Sequence, residues 1–157
     1  MIEQIIAYFT LEMIYMWLNI GVIPFWLALV FFPQLKISKI FVTSIFPLIV
    51  FTAIYFYLIY LFFKNGYDFI ENFELYLGIN NLRNLFSDSS FLILFWIHFL
   101  GINLFCGGWI ANDSQKFGCS KILIFFPLLI TYFVGPLGIV FYWLIRIFYA
   151  KRITLYD

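Results

Sequence analysis

Four stretches of this sequence, near residues 5–32, 41–63, 91–111 and 122–148, are apolar almost without interruption. A helix of about 20 such residues crosses the hydrocarbon layer of a bilayer. Backbone groups in lipid must find their partners within the protein, which leaves helices or a closed barrel. None of the four runs alternates polar and apolar residues as barrel strands do. The chain is therefore expected to be an all-α integral membrane protein, a bundle of four transmembrane helices in a single domain over residues 1–157. No internal repeat or low-complexity linker divides it. Composition excludes a soluble alternative. Hydrophobic residues make up 65% of the chain and charged residues 11%, less than half the roughly 25% of a soluble domain. One soluble core could not hide that much apolar surface. A net charge of +1 offers no basic face for nucleic acid. Cys106 and Cys119 form neither a disulfide framework nor a metal-ligand spacing. The opening MIEQIIAYFT begins with an acid rather than a basic segment, and reads as mature chain rather than a signal peptide.

The charges lie between the runs. Lys36 and Lys39 fall in 33–40, and Asp113, Lys116 and Lys121 in 112–121. The long connection 64–90 holds Lys64, Asp68, Glu71, Glu74, Arg83 and Asp88. Within it Leu75, Ile79, Leu82 and Phe86 recur at helical spacing, which predicts a short helix inside 70–87 at the membrane surface or over the bundle mouth. Ser87, Asp88, Ser89 and Ser90 offer caps for the third span. With four spans, the side shared by both termini holds Lys64, Arg83, Arg146, Lys151 and Arg152, and the other side Lys36, Lys39, Lys116 and Lys121. That margin of one leans towards both termini in the cytoplasm.

Polar groups at bilayer depth are costly and usually turn inward. The third run carries the only histidine, His98, with Asn103 about 140°, Cys106 about 80° and Asp113 about 60° around the helix from it. His98 and Asn103 are thus expected to face the bundle interior, either as interhelical locks or as part of a site. In the first run Glu12, Asn19 and Trp26 stand seven apart and share a face. Glu12 is an intramembrane carboxylate if the first span runs deep, and a headgroup residue if the span starts near residue 14. The second run carries Thr52, Tyr55, Tyr57 and Tyr60, either site residues or part of an interfacial aromatic belt. In the fourth, Pro136 within GPLG predicts a kink, and Arg146 is expected to snorkel to the headgroups. Asp113, about 22 Å along the helix from His98, is expected near the far membrane surface.

The ordered set NIGVIPFW (19–26), IYFYLIY (54–60), LFSD (85–88), WIHFLGINLF (96–105), WIAND (109–113) and GPLGIVFYWLIR (135–146) resembles the abscisic-acid-deficient-four-like family. The resemblance runs from about residue 11 to 148. Its members are small proteins of plastid, cyanobacterial and other bacterial membranes, so it implies a bacterial inner membrane or a plastid or thylakoid-type membrane. The plant member is associated with making neoxanthin from violaxanthin. Trp96, His98, Leu104, Phe105, Asn112 and Asp113 match the family pattern, whereas Asn103 stands where the family usually has aspartate. The resemblance implies a carotenoid or other isoprenoid as partner, beside membrane lipid. It also suggests an intramolecular isomerisation, in which an epoxide end-group opens to an allenic alcohol through one acid and one base, needing no electron carrier or metal, so that no cofactor is expected. The residues then expected to act on the substrate are His98, Asn103 and Glu12, with Asn19, Trp26, Tyr55, Tyr57 and Trp96 binding it. A pigment-binding or scaffolding protein without activity is the competing reading. A transporter is disfavoured, because the chain shows no inverted repeat and no series of intramembrane charges.

Overall fold

The computed structural model describes residues 9–42, 46–68, 70, 73, 76–151 and 153–154. The regular elements among them are helices: α1 (Leu11–Phe31), α2 (Lys36–Val42), α3 (Phe46–Lys64), α4 (Ile79–Ser87), α5 (Ser89–Lys116), α6 (Lys121–Val134) and α7 (Leu137–Ala150). Three helical stretches, Leu11–Phe31, Ile40–Lys64 and Ser89–Lys116, are long and apolar enough to cross a membrane. The chain forms two compact units, one of Met1–Ile20 with Ile49–His98, the other of Gly21–Leu48 with Phe99–Asp157.

The first unit packs Ile14 and Leu18 of α1, Leu58 and Phe62 of α3, and Ile93 and Ile97 of α5, all buried. The Asp88 carboxylate starts α5 by accepting from the Phe91 backbone N–H at 2.8 Å, which satisfies one of the donors a helix start leaves open. A short helix, α4, forms within the predicted stretch 70–87, over Ile79–Ser87. Its Ile79, Leu82, Leu85 and Phe86 occupy one arc, with Asn80, Arg83, Asn84 and Ser87 opposite. Phe86 meets the rings of Phe91 and Phe95, while Ile79 and Leu82 stay exposed. Leu75, assigned to the same helix from its spacing, lies outside the described residues.

In the second unit Trp26 packs so closely on α5 that a Cβ at Gly107 would sit 2.7 Å from its ring. The Gln115 side-chain amide donates to the Pro33 carbonyl and ties the C-terminal end of α5 to that of α1. The run 122–148 departs from expectation. It is not one span but two helices of 14 residues each, about 21 Å apiece against a hydrocarbon layer of about 30 Å. Gly135 takes φ +68, which only glycine adopts without strain, and Pro136 follows with no N–H to continue α6. The chain therefore turns back rather than kinks. α7 lies against α6, so that a Cβ on Gly138 would fall 1.9 Å from Thr131 Oγ1 and 2.5 Å from the Pro127 carbonyl. Gly138→Val is accordingly expected to cost about 1–3 kcal/mol by overpacking, read as a lower melting temperature of the purified protein in detergent.

Candidate functional site

The two expected centres, His98 and Asn103, have separate partners. In the first unit His98 is exposed, not turned inward as its polar arc implied. Its Nδ1 lies 2.9 Å from the Leu94 carbonyl one turn back, a local partner that lets the imidazole remain on the outer face of α5. The Tyr55 ring stands edge-on to it at 5.0 Å. Asn19 donates to the Tyr15 carbonyl at 2.7 Å and accepts from Trp96 Nε1 at 3.3 Å. This pair joins α1 to α5. Glu12 sits exposed in the first turn of α1. Tyr57 lines an apolar cleft of about 550 Å³ with Phe9, Ile14 and Trp17.

In the second unit Asn103 is buried at the hairpin turn. Its Nδ2 donates to the Tyr132 carbonyl at 3.4 Å, and its Oδ1 would lie 2.5 Å from a Cβ on Gly135. An amide donor at that point satisfies a carbonyl released where α6 ends, which non-helical backbone at membrane depth requires. Trp26 is also buried, edge-on to Tyr132 at 5.3 Å, and its Nε1 has no acceptor among the described residues.

The strongest polar constellation is one the spacing arguments placed at the membrane surface. Asp113 on α5 is 4% exposed, and Tyr142 and Arg146 on α7 are fully buried. The Tyr142 hydroxyl and Arg146 Nε both donate to the same oxygen, Asp113 Oδ2, each at 2.7 Å. Arg146 also lies over the Phe117 ring at 4.8 Å and donates through Nη1 to the Thr154 carbonyl. Arg146 does not snorkel, because the hairpin carries it back to Asp113. Tyr142 and Arg146, four apart on α7, present one face to a single carboxylate. That spacing was readable in the sequence, but the return of the chain was not.

Cys119 is buried in the turn after α5. Burial pushes its thiol above the ordinary range, and the neighbouring Tyr142 hydroxyl offsets only part of that. Because the thiolate is the reactive form, Cys119 is expected to alkylate much more slowly than a free thiol at pH 8. Mass spectrometry of maleimide-labelled peptides measures this directly.

Asp113 also lines a cavity of about 380 Å³. Val42, Pro47, Leu48 and Phe105 supply apolar wall, while Asn112, Asp113 and Lys116 put an amide, a carboxylate and an ammonium on the last turns of α5. Pockets of about 300–1,000 Å³ with apolar walls and few polar groups are the usual small-molecule sites.

A family profile matches residues 13–142, most of the chain. The chain belongs to the ABA DEFICIENT 4-like family. Comparison with curated proteins and with solved structures gives no match. The portion that matches the ABA DEFICIENT 4-like family holds Asp113 and Tyr142, and every cavity-lining residue named above.

Proposed function

We propose that the protein binds the ring end-group of a carotenoid-type isoprenoid in the cavity beside Asp113, and isomerises an epoxide end-group there. The observation that carries this reading is the apolar cavity with Asn112, Asp113 and Lys116 on its wall. Family membership supports it, through the epoxide chemistry associated with the plant member. In this scheme the Lys116 ammonium gives a proton to the epoxide oxygen as the ring C–O bond breaks. Asp113 takes a proton from the adjacent chain carbon, through Oδ1, the oxygen that receives neither the Tyr142 nor the Arg146 bond. The proton then returns from Asp113 to Lys116, so the reaction balances without an oxidant or reductant. Apolar walls keep water from the opened end-group.

The test is to incubate the purified protein in nanodiscs with an epoxy-carotenoid and to separate the products by chromatography. An isomer of unchanged mass is expected, and Gly108→Leu, a substitution at a glycine that also lines the cavity, should abolish both binding and conversion. Pigment bound equally well by the wild type and Gly108→Leu would place the ligand elsewhere. His98 is not among the cavity-lining residues, so His98→Gln should leave turnover within about threefold, far from the 10²–10⁴-fold loss of an acid–base group. Complete burial of Tyr142 and Arg146 favours a second reading, in which the ion pair only fastens the hairpin and the cavity holds pigment without converting it. Binding with no isomer under any condition would select that reading.

A further inference from the structure

The hairpin decides which charges share a face of the membrane. The ends of α1 and α5 meet where Gln115 donates to the Pro33 carbonyl. Arg146 reaches Asp113 near that end of α5 and holds the Thr154 carbonyl, and Trp143 Nε1 donates to the Ile153 carbonyl at 2.8 Å. The stretch after α7 is thereby held at the same end of the second unit as the α5–α6 turn. The hairpin tip lies beside Asn103, 13 residues before the end of α5, a depth of about 20 Å. That depth falls short of the layer of about 30 Å.

We propose that the chain crosses the bilayer three times, that α6 and α7 enter and leave by one face as a re-entrant hairpin, and that this face is cytoplasmic and rests on anionic phospholipid headgroups. The sequence count of basic residues, five against four for four spans, then becomes one-sided. Among the described residues, Lys36, Lys39, Lys116, Lys121 and Lys151 fall on the hairpin's face, and Lys64 and Arg83 on the opposite one. Arg146 is left out because it is buried on Asp113. Basic residues beside spans mark the cytoplasmic side, so the start of α1 lies outside and the end of α7 inside. Lys36, Lys121 and Lys151 are exposed and lie outside the lining of the cavity beside Asp113, and exposed lysines beside an anionic leaflet are drawn to its headgroups. The inference does not depend on what occupies the cavity.

Two measurements test it. Lys36→Cys, Lys151→Cys and Asn80→Cys, each introduced alone, are treated with a membrane-impermeant maleimide on intact bacterial cells and after permeabilisation. Asn80→Cys should label on intact cells, and the other two only after permeabilisation. Lys36→Cys and Lys151→Cys labelling from opposite sides would overturn the hairpin topology, and the reverse of the whole pattern would overturn the orientation. Separately, protein released from nanodiscs of mixed phosphatidylglycerol and phosphatidylcholine is weighed by native mass spectrometry. The wild type should retain several-fold more phosphatidylglycerol than a variant with Lys36, Lys39, Lys121 and Lys151 replaced by glutamine. Equal retention would overturn the headgroup contact.

Discussion

Arg146→Leu is expected to destabilise the protein by about 3–5 kcal/mol, the effect of stranding one buried charge without its partner. Asp113 would keep only the Tyr142 hydroxyl, while the leucine would fill only part of the space against Phe117. The double variant Asp113→Leu with Arg146→Leu should recover most of the loss, since replacing both members of a buried pair by apolar groups is often close to neutral. Both can be measured by unfolding in mixed micelles of increasing sodium dodecyl sulfate, with tryptophan fluorescence as the readout. A loss in the double variant equal to the sum of the Asp113→Leu and Arg146→Leu losses would mean that the pair contributes nothing through its charges, and a coupling energy from the full cycle quantifies what it does contribute.

Asp113→Asn should have the largest effect on chemistry. The amide oxygen can still accept from Tyr142 and Arg146, although the buried guanidinium loses its counter-charge and stability falls, so turnover is compared per folded molecule; an amide cannot take a proton from carbon. Under the proposed mechanism turnover falls by about 10²–10⁴-fold while epoxy-carotenoid still co-purifies with the variant. Normal turnover in Asp113→Asn would move the base elsewhere. Loss of bound pigment as well would mean that the carboxylate binds the end-group rather than reacting with it.

The all-helical class, the long apolar helices, α4 and the family were legible because each rests on local information: apolar run length, helical spacing, or an ordered series of motifs. The fate of residues 122–148 was not local. GPLG reads equally well as a kink within one span or as the tip of a hairpin, and the deciding facts are the φ of Gly135 and the contact of Gly138 with Thr131. That single ambiguity spread through the candidate site. With α7 running onward, Arg146 belongs in the headgroups and Asp113 has no partner. With α7 running back, the two meet at 2.7 Å. Asn103 was recognised as an inward polar residue but not as the group that closes a turn, because its partner, the Tyr132 carbonyl, is a backbone atom that no side-chain pattern can reveal. His98 was misplaced for a simpler reason. A histidine can satisfy one ring nitrogen on its own helix, as it does here at Leu94, so a polar arc alone does not say which way it turns.

The half-depth hairpin proposed above would also constrain how the chain is made. α6 and α7, at 14 residues each, are too short to be handed to the lipid as independent spans. The turn between them exposes backbone that lipid alone will not tolerate. Its partner, Asn103, lies on α5, which emerges earlier in synthesis. The order of biogenesis follows. On that proposed topology the long helices would be inserted first, and the last 40 residues or so would be recruited onto them from the side on which they were synthesised, closing only when Arg146 finds Asp113. A nascent chain halted just after Lys116 would hold Asp113 without either of its α7 partners.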